Sequence, residues 1–379
     1  MNMSQTLTPL LTRRLTALLC IAALAGMAAL NAVQAREMPS HFAMVQNAID
    51  KFAVPRFESL NRAAEVLPSA VEQVCTRGDA GAREELDARF RDTVKAWAAV
   101  EFLRFGPLTE SGRRERLSFW PDPRGVMTRQ LRQILANRDL KAIDGARIVK
   151  QSAAVQGLPA LEVLLTDKDN PLGSNVEVAY RCALAKAISG NVAAIAHDIL
   201  EGWTKSGGWK EKMLRPGSDN DTYKEPSEAA GEFVKAMLTG LQIVSETEVK
   251  PHLEPKADAS AEATADVKDK PAIGPFNKIG LSRDYFVAGA SALEALNETL
   301  DLEGYLPEDK DWVRTWAGGA WRAMRESDGA GGPPPGGKKS AAPSVKELHD
   351  KINGLRQLVG KEMASAAGLT LGFNELDGD

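Results

Sequence analysis

Histidine and cysteine are scarce in this chain: its 379 residues hold only 4 His and 3 Cys. Metal or acid–base chemistry that needs several imidazoles therefore has few places to occur. Basic charge is not in excess either, since 47 Lys+Arg stand against 51 Asp+Glu for a formal charge of −4. Without a basic field to hold a phosphate backbone, general nucleic-acid binding is excluded. Alternating strand patterns are missing, and the Asn353-Gly354 pair therefore has no flanking strands to make it a hairpin signal. The zinc-peptidase pattern His-Glu-x-x-His and the Gly-x-Ser-x-Gly nucleophile elbow are both absent. What remains is 44% hydrophobic and 26% charged, a globular composition that rules out collagen-like and wholly disordered classes.

The first 35 residues read as an address. Arg13 and Arg14 precede an apolar stretch from Leu15 to Leu30, and Val33-Gln34-Ala35 offers small residues for cleavage after Ala35, the layout of a secretory signal peptide. A membrane anchor is the rival reading, but the apolar run is short for a span of about 20 residues, and no later stretch is apolar enough to span. The expected location is the periplasm or cell envelope, with no membrane span after signal removal. The mature chain would carry 45 basic against 51 acidic residues, mildly acidic. Cys20 leaves with the leader, so Cys75 and Cys182 remain as a pair in an oxidising compartment, which favours a disulfide. Two buried free thiols are the alternative.

Apolar residues at three- and four-residue spacing predict helices over 38–75, 82–104, 125–138, 145–166, 174–205, 226–249, 280–302, 308–326 and 344–367. This is an all-α fold class of two helical-bundle domains: 36–205, then a linker at 206–225, then 226–379. The second bundle is interrupted by surface loops at 254–275 and 327–343, which are rich in Ala, Asp, Lys, Gly and Pro. GLPALE at 157–162 recurs as GASALE at 289–294, a separation that suits a duplicated bundle with internal pseudo-symmetry. On a helix Glu162 neighbours Leu158, Pro159, Leu165 and Thr166, whereas Glu294 neighbours Ala290, Ser291, Asn297 and Glu298, so Glu162 is the drier of the two. Pro159 cannot donate to the Val155 carbonyl and its ring crowds that turn, so with Gly157 it predicts a kinked or restarted helix. Freed carbonyls beside a partly buried carboxylate make a candidate cation or ligand site. The competing reading is a structural Glu162, paired with an Arg or favoured by a restarted helix's dipole.

Five blocks then carry a resemblance: WAAVEFLRFGP at 97–107, FWPDPRG at 119–125, GLPALEVLL at 157–165, AYRCALAKAISGN at 179–191 and GFNELDGD at 372–379. Together they resemble the imelysin family, also called the M75 peptidases, over essentially the whole mature chain. The resemblance implies an all-helical fold of two pseudo-symmetric bundles and an envelope location, often connected with iron uptake. It also implies a metal ion or functional site at a Gly-x-His-x-x-Glu motif. Gly157 and Glu162 match the ends of that motif, but Pro159 stands where the histidine belongs. Since imidazole is the commonest nitrogen ligand of transition metals, its loss leaves a carboxylate and backbone oxygens.

Other candidate walls of the site come from the same blocks. Trp97, Glu101, Arg104 and Phe105 fall at three- to four-residue spacing, predicting an aromatic, an acid and a base on one helix face. Asp122, before Pro123, is placed to cap a helix beginning near Arg124. Asp377 and Asp379 at the end of the chain would bind a cation or dock on an arginine. His197 and Glu201, four residues apart, read as a solvated face. The expected function is a non-catalytic binding protein of iron or metal acquisition, with an iron-uptake component of the envelope as partner. The alternatives are a metal-dependent M75-type peptidase, or a scaffold that has lost the ancestral site.

Overall fold

The computed structural model describes residues 40–144, 147–253, 274–329 and 342–371. Residues 1–39, which include the expected leader, nearly all of the two Pro- and Gly-containing loops, and the GFNELDGD terminus lie outside the described residues. Within them there are helices, turns and no strands, so the fold is all-α. The helices are α1 (His41–Asn47), α2 (Val54–Glu65), α3 (Leu67–Arg77), α4 (Ala80–Ala98), α5 (Arg113–Leu117), α6 (Val126–Asn137), α7 (Leu158–Thr166), α8 (Ala179–Thr204), α9 (Trp209–Leu214), α10 (Pro226–Ile243), α11 (Ser282–Leu300), α12 (Asp311–Arg325), α13 (Val345–Leu358) and α14 (Ala364–Ala366). Three single π-helical stretches follow α1, α10 and α13, at Ala48–Ala53, Val244–Val249 and Val359–Met363.

Local chemistry sets the helix limits. Asp79 accepts the Ala82 N–H at 2.7 Å to begin α4, and Gly78, at φ +65°, supplies the left-handed residue that ends α3. A reciprocal capping box of Glu225 and Glu228, with Pro226 at the first position, starts α10. The apolar spacing is realised as burial: Leu86, Phe90, Val94 and Trp97 of α4 all face the core. One group of packed helices comprises α2, α3, α4, α7 and α8, and another comprises α10, α11, α12 and α13. The groups meet where α4 packs on α11 and α1 packs on α10 and α11. Cys75 of α3 and Cys182 of α8 form the expected disulfide, with Cα atoms 5.8 Å apart.

Two predicted helices are shorter than their periodicity suggested. The 82–104 helix ends at Ala98, and residues 99–105 continue as a turn. Ala98, Ala99, Val100, Phe102, Leu103 and Phe105 are all buried. A run so nearly continuous cannot be served by one helix face, so the chain leaves the helix to bury it. Within 145–166 only Leu158–Thr166 is α-helical, preceded by 3-10 turns at Ile148–Lys150 and Ala153–Val155. Gly157 is extended and Pro159 occupies the first turn, so the helix restarts at this point.

Candidate functional site

At Gly157 the backbone runs hard against the Arg116–Leu117 segment. A Cβ there would lie 2.2 Å from the Leu117 carbonyl oxygen and 2.4 Å from that of Arg116, so only glycine fits. The approach is pinned by a polar network: Arg116 Nε donates to Gln156 Oε1 at 2.8 Å, and Asn191 Nδ2 donates to the Gln156 carbonyl at 3.0 Å. Pro159 is buried in the first turn of α7, where its missing N–H costs no helical bond. Glu162 is 6% exposed. Its Oε1 accepts the Ile279 N–H at 3.1 Å, and the Lys278 amide also donates to the carboxylate. Burial pushes this carboxyl above its ordinary range, while those two amides and the Lys278 charge pull it back. Glu162 is thus the clasp that holds the 278–279 turn against α7.

The remaining predicted positions do not all converge on Glu162. Asp122 accepts the Val126 and Met127 N–H groups, each at 2.8 Å. It is the cap of α6, which begins two residues later than the sequence suggested. Glu294, partly buried on α11, pairs with Arg325 of α12; burial raises its carboxyl and the arginine counteracts this. His197 and Glu201 are exposed on α8.

A different set of groups does come together. Because α4 ends at Ala98, Trp97, Glu101 and Arg104 do not share a helix face. Trp97 is buried in the core, while Glu101 and Arg104 sit on the following turn. The Tyr285 hydroxyl of α11 donates to the Glu101 carboxylate, and the guanidinium groups of Arg104 and Arg114 lie close enough to act on it. Glu248, on the π-helical turn after α10, is 6% exposed, and among the described residues its Oε2 has no hydrogen-bond partner. Burial, reinforced by the Glu101 charge, lifts the Glu248 carboxyl well above its ordinary range. Burial also raises Glu101, against the hydrogen bond from Tyr285 and the two arginines. The Tyr285 phenol is held in its neutral, donating form by burial and by both glutamates.

Sequence reasoning missed Glu248 and Tyr285. Glu248 had a signal: Leu241, Val244, Ser245 and Glu248 form the i, i+3, i+4, i+7 pattern of a buried face, and an acid in that pattern marks a polar group in the core. Immediately beyond Arg104, Phe105 and Gly106 line a cavity of about 460 Å³ with Trp209, Tyr223, Glu232 and Lys235.

Chemically, the cluster is two acids, two arginines and a phenol, able to offer both donors and acceptors to a ligand. The motif at 157–162 does not fit a directly ligated transition metal. Pro159 has no side-chain ligand atom, which leaves Glu162, bonded by two amides, as the one ligating side chain of the motif. Among the described residues, no three His, Cys, Asp or Glu side chains gather as a metal cluster. The imidazoles are placed elsewhere: His41 Nε2 bonds the Ala367 carbonyl at 2.7 Å, and His349 lies against Glu246 and Asn353.

These features define an all-α, disulfide-bridged helical protein with a buried acid–arginine–tyrosine cluster at the junction of its helix groups. The family model described as Imelysin (Peptidase_M75) matches residues 53–267, and the chain belongs to the imelysin family. An imelysin-like protein from Psychrobacter arcticum 273-4 is 19% identical, with a TM-score of 0.65 over 88% of this chain and 97% of that one. An iron-regulated protein A precursor from Parabacteroides distasonis ATCC 8503 is 14% identical, with a TM-score of 0.63 over the same shares. At these identities the two structures speak for the fold alone. No curated protein matches the chain.

Proposed function

We propose that this imelysin-family protein is exported to the cell envelope and works there by binding in iron or metal acquisition, without cleaving bonds. The observation that carries this reading is the commitment of Glu162 to the 278–279 amides beside a proline. A metal-dependent hydrolytic site at this motif would need the imidazole that Pro159 lacks, and the Glu162 carboxylate is already bonded by two backbone amides. The iron-regulated name of one structural neighbour supports the iron context, and a disulfide suits an oxidising compartment. No helix among the described residues is long and apolar enough to cross a membrane.

The ligand-binding role falls to Glu101, Glu248, Tyr285, Arg104 and Arg114. A buried carboxyl oxygen without a hydrogen-bond partner is costly whether or not the group keeps its proton, and such costs concentrate at functional sites. A ligand that brings a hydrogen-bond donor or a cation to Glu248 relieves that cost. Iron here is cargo, carried as a complex whose outer groups are gripped. The test is metal retention after desalting of protein incubated with ferric nitrilotriacetate, alongside a chelator-controlled peptide-cleavage assay. Stoichiometric iron in the wild type, lost in Glu101→Gln and Glu248→Gln, supports the reading. Chelator-sensitive cleavage that disappears in Glu162→Ala would establish the peptidase alternative, and no iron retention by the wild type would leave the scaffold reading.

A further inference from the structure

A groove of about 670 Å³ runs between α2, α4 and α11, within the size range of small-molecule sites. Two of its walls repeat one pattern. Arg56, Ser59, Arg62 and Ala63 of α2, with Val66 just past its end, line it at the same spacing as Arg89, Asp92, Lys95 and Ala96 of α4, with Ala99 just past its end. The Thr93 hydroxyl donates to the Ala63 carbonyl at 3.0 Å and fixes the register of the two helices. The third wall, α11, contributes Val287, Ala288 and Ser291. Small side chains on all three helices leave the trough open, and basic side chains stand on two of its walls.

The charge there is unbalanced. Arg62 lies 3.7 Å from Glu58, and Arg89 lies 2.7 Å from Glu85 and 4.0 Å from Asp92. Among the described residues, neither Arg56 nor Lys95 has a carboxylate within ion-pair distance. The Arg56 guanidinium is half-buried and rests over the Phe52 ring, 5.5 Å from its centroid, so it is positioned before any ligand arrives. Two uncompensated cations in one groove of a protein with net negative charge favour an anionic occupant. A planar guanidinium matches carboxylate or phosphate oxygens in pairs.

We propose that the groove between α2, α4 and α11 binds a soluble small molecule bearing two or more carboxylate or phosphate groups, held by Arg56 and Lys95. The inference does not rest on the buried acid cluster, so the outcome for Glu248→Gln leaves it untouched. The test is isothermal titration calorimetry at low salt with two probes, inorganic pyrophosphate and tricarballylate. At least one should bind, with an affinity that falls as NaCl is raised. Arg56→Gln and Lys95→Gln should each weaken it by fivefold or more, and the double variant should abolish it. Lys351→Gln, a charge-matched change on α13, should leave affinity unchanged. Lys95 is exposed, so its variant keeps the test informative even if Arg56→Gln unfolds. Three results would each overturn the proposal: no binding of either probe at millimolar concentration, affinity indifferent to Lys95→Gln, or binding only to phosphatidylglycerol vesicles.

Discussion

Glu248→Gln replaces a buried acid with a neutral side chain of the same shape, and its effect on stability should depend on pH. In the unfolded chain a glutamate releases its proton near pH 4.3. In the folded protein, burial and the neighbouring Glu101 charge hold the Glu248 proton to a much higher pH. The stabilisation from that proton is complete below the unfolded pKa and is lost as pH rises through the folded one. Over that window the slope is one proton's worth, about 1.4 kcal/mol per pH unit. A fold of this size unfolds with an entropy on the order of 0.6 kcal/mol/K, so the slope corresponds to roughly 2 °C of Tm per pH unit. Glu162 and Glu294 are shifted in the same direction, but they contribute to both proteins and cancel in the difference, whereas Glu101, whose charge acts on Glu248, titrates with it as a pair and belongs to the measured difference. Differential scanning calorimetry from pH 5 upward should therefore show the variant's Tm falling less steeply, with the variant the more stable protein at the alkaline end. Parallel Tm curves for wild type and Glu248→Gln between pH 5 and pH 6 would refute the argument, because Glu248 would then carry no retained proton.

Reducing the Cys75–Cys182 bridge opens a loop of 107 residues; chain entropy assigns such a closure about 4 to 5 kcal/mol. Scanning fluorimetry with and without reductant should show Tm lower by on the order of 7 °C, and an unchanged Tm would mean that the reduced chain keeps the two helices together in its unfolded ensemble. Gly157→Ala drives a methyl into the Arg116 and Leu117 carbonyls and should cost about 3 kcal/mol in urea unfolding; a loss below 1 kcal/mol would show that this crossing relaxes easily. Asp122→Ala removes the acceptor of two amides at the start of α6. It should cost about 1–2 kcal/mol and speed hydrogen exchange at Val126 and Met127, whereas an unaffected exchange rate would remove Asp122 from the capping role.

Features decided by near neighbours in sequence were legible. The helix limits at 126–137, 179–204, 282–300 and 311–325 fall within a few residues of the apolar periodicity, since side-chain spacing and caps act over a single turn. Asp122 was readable as a cap for the same reason: its partners are four and five residues away. The bridge followed from two cysteines and the expectation of an oxidising compartment. The end of α4 was not legible, because periodicity continues past Ala98 in letters while the chain itself turns to bury nearly every residue up to Phe105. That one difference moved Glu101 and Arg104 off a helix face and onto a turn.

The site was legible only in part because its partners are remote. Glu162 was recognised as a dry carboxylate, yet its role is set by amides at 278 and 279, more than 100 residues away, and no local pattern encodes such a pairing. Glu101 was named, but its phenol donor comes from α11 and its acidic neighbour from the turn after α10. The acid at position 248 was nonetheless visible as an offence against its own stripe: a helix that buries Leu241, Val244 and Ser245 on one face buries Glu248 with them. Carrying a carboxylate into a core costs stability that a leucine at the same place would not. A polar residue kept on such a stripe is therefore a stronger pointer to a ligand than an acid within a resembling motif, because the motif's acid can satisfy itself on backbone amides, as Glu162 does, while Glu248 Oε2 has no hydrogen-bond partner among the described residues.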